Sequence, residues 1–429
     1  MKIEKFLDFI SCAKCSYFAV SLIEEELLKN DFTPLYEDQK YELEPGKNYY
    51  VIRNDSSIIA FKMPTKMDHL KLKIILSHTD SPTYKLKENY LKKTGLGYNA
   101  LNVEPYGGPI HSSWLDRPVS ICGRVFFKEN NEIDCSLYDL EQKLIIPNTP
   151  PHLNKSINDG FKYNPAVDLS PILEEGFDLE EHIANQIGID KAQIISRDLF
   201  LYNSTVTTLG GVNDELIYSA QIDNLECAYG TLEGFMESRD DESILVYGSL
   251  DNEEVGSLST NGASSTFLRD TIYRLLSNYS FEEKAQIFAR SFVVSADNAH
   301  AINPNHPELF DKDNAPKLHQ GVVIKENANL SYTTSGLTKA FLKHIFDKHN
   351  VSYQFYANRS DIRGGSTLGR LSLEHLSINS VDIGLAQLAM HSSYEVASVK
   401  DYFALVEGTK AFYNTKYHFV NNTFAFDDK

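Results

Sequence analysis

The chain has 429 residues, 42% of them hydrophobic and 23% charged, enough for two domains or one large α/β domain carrying an insertion. Its formal net charge of -18 excludes a nucleic-acid partner, because binding a polyanion needs a concentration of Lys and Arg. No run of about 18 apolar residues occurs, so no membrane span is expected, and five cysteines in a chain this long read as reduced thiols of a cytoplasmic protein.

In the N-terminal stretch Glu4, Lys5 and Asp8 interrupt the apolar patches, and no uncharged signal core forms. Cys12 and Cys15 have no second cysteine pair and read as two thiols on one turn of an amphipathic helix. The segment "LKLKIILSHTD" alternates Leu70, Leu72, Ile74 and Leu76 like a strand and then delivers His78 and Asp80. From about Pro82 to Gly211 the character changes. Gly95, Gly97, "YGGP" (Tyr106 to Pro109), "IIPNTPPHLNKSIN" and short β-rich runs predict a turn-rich insertion. Four further apolar runs read as strands ending in ligand-type residues: "DELIYSAQIDN" delivers Asp223, "SILVYGSLDNEE" Glu253 and Glu254, "RSFVVSADNAH" Asp297 and His300, and "GLAQLAMHSSYE" His391. Helical spacing marks "SFEEKAQIFARS", "SGLTKAFLKHIFDKHN" and "VKDYFALVEGTKAFYNTKY". Ser392 and Glu395 have the spacing of a capping box, which predicts a helix directly after His391.

Strands that end in polar residues, with helices between them, predict an open α/β sheet with its site along the carboxyl edge. There His78, His391, Asp223, Glu253, Glu254 and Asp297 form a donor set suited to zinc, manganese or cobalt, and the lack of a thiolate disfavours a closed structural zinc site. Two divalent ions would bring a charge of +4, and Asp223, Glu254 and Asp297 would return -3. One hydroxide then completes neutrality, the condition for holding a nucleophile at neutral pH. With Glu254 neutralising a metal, Glu253 is left to accept a proton from water and pass it to a leaving amine. Asp80 either orients His78 as a hydrogen-bond acceptor or caps a helix after the strand.

Together, "SHTDSP", "YGGPIHSSWLDRPVSICGRV", "PPHLNKSIN", "IDNLECAYG", "DNEEVGS", "SADNAHAINPNHPE" and "LAQLAMHS" resemble the aspartyl aminopeptidase and vacuolar aminopeptidase I family of co-catalytic metallopeptidases. The resemblance implies a three-layer α/β/α catalytic domain with a mixed sheet, in two parts (residues 1–82 and 213–429), interrupted by a β-rich dimerisation domain (83–212). It also implies a tetrahedral homododecamer and two divalent ions per subunit, zinc before cobalt or manganese. His78, Asp223 and Asp297 would hold one ion, and Asp223, Glu254 and His391 the other. Glu253 would be the general base and Asp80 the support of His78, while His300, Lys325 and Tyr332 would touch substrate. His152, in "PPHL", matches a motif that reaches the partner subunit's active site, as metal or substrate ligand or as a structural element. The chain departs from the family's pattern at Ser156 and across "IRGGSTLG" (Ile362 to Gly369), where Arg363 is a candidate anion receptor. The expected activity is removal of N-terminal residues from peptides, with Asp and Glu as candidate preferences. A two-metal carboxypeptidase or amide deacylase, or a non-catalytic shell protein, are the alternative readings.

Overall fold

The computed structural model describes residues 3–362, 364–365 and 367–427. Nine strands form one mixed sheet in the order Thr33–Leu35, Asn48–Arg53, Ser57–Lys62, Ser243–Leu250, Lys71–His78, Phe292–Ala296, Asn379–Gly384, Val322–Lys325, Tyr353–Tyr356. The four central strands, Ser243–Leu250, Lys71–His78, Phe292–Ala296 and Asn379–Gly384, run parallel. Their carboxyl ends therefore open onto one edge.

The alternating pattern of Lys71–His78 suggests a strand with one wet face, yet all eight residues are buried. Helices cover both faces, and the polar face is made an interior by pairing. The Lys73 ammonium donates to Asp240 Oδ2 at 2.6 Å and to the carbonyls of Tyr413 and Thr415 at 2.7 Å each. A buried ion left unpaired would cost several kcal/mol.

On one face the helices Glu4–Cys12, Ser16–Lys29, Ile222–Glu237, Gly336–Lys348 and Val399–Asn414 pack their apolar stripes on the sheet through residues such as Phe6, Val20, Leu225, Phe341 and Tyr402. On the other, Phe267–Leu275, Phe281–Arg290 and Leu368–Leu376 do the same through Phe267, Ile287 and Leu376. The three helices predicted from spacing form, each started by a serine cap: Ser280, Ser335 and Ser398. The capping box read at Ser392 and Glu395 does not form, because Glu395 begins the strand Glu395–Ser398. Cys12 and Cys15 do not share a helical turn either. The first helix ends at Cys12, and Cys15 is the extended residue before Ser16, buried against Cys122, Phe200 and Tyr202.

A second sheet lies wholly within residues 83–203. Its order is Ile172–Glu174, Tyr98–Tyr106, Thr83–Lys93, Ile194–Asn203, Pro118–Glu129, Glu132–Asp139, with Leu144–Ile145 added beside Pro118–Glu129. Antiparallel pairing lets its strands be joined by short turns. It has a core of its own around Tyr84, Leu101, Trp114, Ile121 and Leu201. Among the described residues no helix is long and apolar enough to cross a membrane.

Candidate metal centre

His78 is the last residue of its central strand, so its ring stands at the carboxyl edge with side-chain exposure of only 1%. Its Nδ1 lies 3.0 Å from the Asp80 carbonyl and 3.3 Å from Asp80 Oδ1. That contact makes Nδ1 a proton donor and turns Nε2 toward the acidic cluster as the nitrogen open to a ligand. Nε2 faces Asp297 Oδ1 at 3.5 Å and Asp223 Oδ1 at 3.7 Å.

The stretch "SLDNEEVG" turns sharply off the neighbouring strand. Asn252 (φ 64°) and Gly256 (φ 92°) take left-handed backbone on either side of the 3-10 turn Glu253–Val255. Asp80 fastens this turn: its Oδ1 accepts the Glu253 N–H and its Oδ2 the Glu254 N–H, both at 3.1 Å. No helix follows Asp80, and the helix-capping alternative falls.

Asp223 does not come from a strand of the main sheet. The apolar run before it forms the short strand Leu216–Ser219 in a separate three-stranded sheet beside Glu395–Ser398, and Asp223 sits in the first turn of Ile222–Glu237. Glu395 anchors both sides of this arrangement. Its Oε2 accepts the Asp223 N–H at 3.0 Å and its Oε1 the His391 N–H at 2.8 Å. The tertiary partners of Glu395 explain why a local capping reading fails. His391 itself follows the strand Ala386–Gln387 with left-handed backbone (φ 66°). Its Nδ1 is 3.1 Å from the Gly108 carbonyl, and its Nε2 is 3.6 Å from both Asp223 Oδ2 and Glu254 Oε2.

Asp223 thus turns one oxygen to His78 and the other to His391. His78, Asp223 and Asp297 present ligand atoms within 4.8 Å of one another, and so do Asp223, Glu254 and His391. His78, Glu253 and Glu254 make a third, overlapping group.

The donors fit hard or borderline divalent cations. Five carboxylates (Asp80, Asp223, Glu253, Glu254, Asp297) gather around the Lys325 ammonium and two imidazoles, and Asp223 Oδ1 is buried without a hydrogen-bond partner. Burial first, and then the Asp297 charge, push Asp223 up to about 6. Glu253 is pushed up to about 8, again mainly by burial, and Glu254 well above the usual range by burial and the Asp223 charge. At Asp297 burial acts upward, but Lys325 and His78 together outweigh it and hold the carboxyl low. Protons and metal ions compete for such a cluster.

A cavity of about 410 Å³ opens over these residues, lined also by His300, Lys325, Tyr332, Asn358 and Arg359. Desolvation, and then Lys325, lower His300 to about 4. The Lys325 ammonium donates to the Asn298 carbonyl at 2.7 Å and stands 3.4 Å from Asp297 Oδ2. Two of its directions are therefore taken by the protein. The Tyr332 ring lies 5.6 Å from the same ammonium. His152 stands apart on an exposed turn, outside the cavity lining, and Arg363 lies outside the described residues. Residues that spacing could not single out are Glu395, whose partners are distant in sequence, and Tyr106, whose hydroxyl donates to Asp80 Oδ2 at 2.8 Å.

The sequence family described as Aminopeptidase I zinc metalloprotease (M18) matches residues 9–413. A probable M18 family aminopeptidase 2 of Clostridium novyi is 39% identical over 423 residues, 96% of this chain and 98% of that protein. Its counterpart in Clostridium acetobutylicum is 37% identical over 424 residues, with the same coverage of 96% and 98%. Among solved structures, the cryo-EM structure of the Ape4 and Nbr1 complex superposes with a TM-score of 0.92 at 32% identity, covering 95% of this chain and 85% of that one. The S. cerevisiae mApe1 dodecamer gives 0.84 at 25% identity, with 95% of each chain covered. The chain belongs to the M18 aminopeptidase family of zinc metallopeptidases and is a hydrolase of the aminopeptidase type.

Proposed function

We propose that this aminopeptidase works with two divalent ions, that Glu253 carries the proton, and that its substrates are peptides entering the cavity above the carboxyl edge. The observation that carries the reading is Asp223, which offers Oδ1 beside His78 and Oδ2 beside His391. His78, Asp223 and Asp297 would hold one ion, and Asp223, Glu254 and His391 the other. Zinc is the first candidate, with cobalt or manganese as alternatives, and such ions supply Lewis-acid polarisation of the scissile carbonyl and acidify water.

Glu253 stands beside both donor groups, sharing a third group with His78 and Glu254, and Asp80 accepts its amide. A carboxylate in that position suits a base that takes a proton from the attacking water. As the carbon–oxygen bond forms and the carbon–nitrogen bond breaks, Glu253 returns that proton to the departing amine. His300, neutral at pH 7 because its proton affinity is lowered, keeps one N–H to donate to the carbonyl oxygen. Lys325 holds Asp297 in place and, with Tyr332, borders the substrate.

A preference for N-terminal Asp or Glu would draw on Arg359. Its guanidinium lines the cavity and pairs with Asp361 Oδ1 at 2.8 Å. Both partners are substantially exposed, and such a pair is worth about 0–1 kcal/mol, so a substrate carboxylate can displace it.

The likeness to a dodecameric relative supports self-association. So do Leu96, Tyr98 and Ile133, exposed large side chains on the second sheet and its turns. His152 lies on an exposed turn, which is in keeping with a contact to a neighbouring subunit. The five free cysteines are in keeping with a cytoplasmic setting.

The test compares a peptide bearing a free N-terminal amine with its N-acetylated counterpart, using protein loaded in turn with zinc, cobalt and manganese. Cleavage of the free-amine peptide alone is expected. Equal cleavage of both would overturn the aminopeptidase assignment, and light scattering on the same samples gives the subunit number.

A further inference from the structure

Tyr106 to Ile110 leave the strand Tyr98–Tyr106 of the second sheet and run along the metal-binding edge of the first. Four of these five residues touch that edge. The Tyr106 hydroxyl donates to Asp80 Oδ2 at 2.8 Å and accepts from Asn252 Nδ2 at 2.9 Å. Gly107, with φ +70°, packs so closely on Glu254 that a Cβ there would lie 3.1 Å from Glu254 Cβ, 3.2 Å from its carbonyl oxygen and 3.4 Å from Oε2. The Gly108 carbonyl meets His391 Nδ1 at 3.1 Å, and the Ile110 N–H donates to the His391 carbonyl at 2.9 Å.

The consequence for His391 is chemical. A carbonyl can only accept, so Nδ1 carries the proton and Nε2 is the nitrogen left to bind, facing Asp223 and Glu254. Glu254 is confined on its other side by Gly107, where an added Cβ would be tighter than ordinary van der Waals contact and would press on it. Two of the three donors on this side of the centre are thus oriented by a sheet that supplies no ligand to it.

We infer that residues 106–110 form a positioning strap by which the second sheet holds the Asp223, Glu254 and His391 donor group in register, so that retention of the ion bound there depends on this strap. This inference rests on the two-ion reading above.

The test measures zinc affinity by competition with a chromophoric chelator on the full-length chain, for the wild type, Gly107→Ala and Gly97→Ala. Gly97 lies at the opposite end of the same strand with φ +83° and nothing within 4 Å of an added Cβ, so its alanine carries similar backbone strain without the contact. Gly107→Ala is expected to weaken one of the two ions by about 10–100-fold while the other is retained. Gly97→Ala is expected to bind both like the wild type. Unchanged affinity for both ions in a folded Gly107→Ala, or an equal loss in Gly97→Ala, would overturn the strap. Where Gly107→Ala fails to fold, Tyr106→Phe decides, since it deletes one oxygen and keeps the ring beside Phe200. It is expected to weaken zinc by about tenfold, and wild-type affinity would overturn the inference. A wild type that holds fewer than two ions would instead sink the two-ion reading and leave the strap's contacts with His391 to be explained otherwise.

Discussion

The two walls of the cavity are built in opposite ways. On the metal side, the Asp80 carboxylate accepts the amides of Glu253 and Glu254 and the Tyr106 hydroxyl, while Glu395 accepts the amides of Asp223 and His391. Asp223, Glu253, Glu254 and His391 are each held at the backbone amide by a buried acid. On the outer side, Asn358, Arg359, Ile362 and Gly364 come from irregular chain, and among the described residues Arg359 pairs with its near neighbour Asp361 and donates to the Glu308 carbonyl. The inner wall is built by long-range pairing on rigid elements, whereas the outer wall is held by exposed contacts of irregular chain. The first wall should tolerate little change and the second a good deal.

Asp80→Asn tests the first wall hardest. An asparagine side chain would turn two donors toward a site where three donors already converge, so the Glu253 turn must shift. A fall of about 10–100-fold in kcat/KM is expected. A change smaller than twofold would show that the turn does not depend on Asp80. Arg359→Ala probes the second wall. Hydrolysis of neutral N-terminal residues should persist, while any preference for Asp or Glu over Ala should fall by about twofold to fivefold, the worth of an exposed charge interaction. A panel of N-terminal anilides gives the ratio, and loss of activity on every residue would mean that this wall is as demanding as the other.

The smallest effect concerns Asp251, which is buried beside the metal side, leaves Oδ1 without a partner, and is raised to about 7 by burial and the Asp80 charge. Its folded proton affinity exceeds that of the unfolded chain. The stability it confers is therefore fully present below about pH 4 and is lost as pH rises through 7. Asp251→Asn cannot ionise, so the difference in Tm between variant and wild type should grow in the variant's favour by a few degrees from pH 5 to pH 8. Thermal unfolding across that range checks the sign, and a difference that shrinks with pH would contradict it.

The same contrast governs what was legible in the sequence. His78, Glu253, Glu254 and Asp297 follow central parallel strands, so an apolar run ending in a polar residue is enough to place them on one edge. Asp223 is legible as a site residue but not in its setting, because a four-residue strand in a small sheet reads like one in the large sheet. Glu395 misleads, since its spacing from Ser392 mimics a local cap while its real partners lie at Asp223 and at the backbone of His391. Tyr106 carries no local signal at all. Its hydroxyl acts 26 residues away on Asp80 and 146 away on Asn252. The helices that begin at Phe281, Gly336 and Val399 were legible from their apolar spacing, which is decided within each segment. The break between Cys12 and Cys15 was not, as it is set by burial of Cys15 against the second sheet.

The account turns on a division of labour between two adjacent glutamates, and one paired measurement addresses it: zinc bound per chain, together with turnover, for Glu253→Gln and Glu254→Gln. Glu253→Gln should keep two ions and lose about 10²–10⁴-fold in kcat, whereas Glu254→Gln should lose one ion. A Glu253→Gln protein that sheds an ion while Glu254→Gln retains both would reverse the roles and contradict the account.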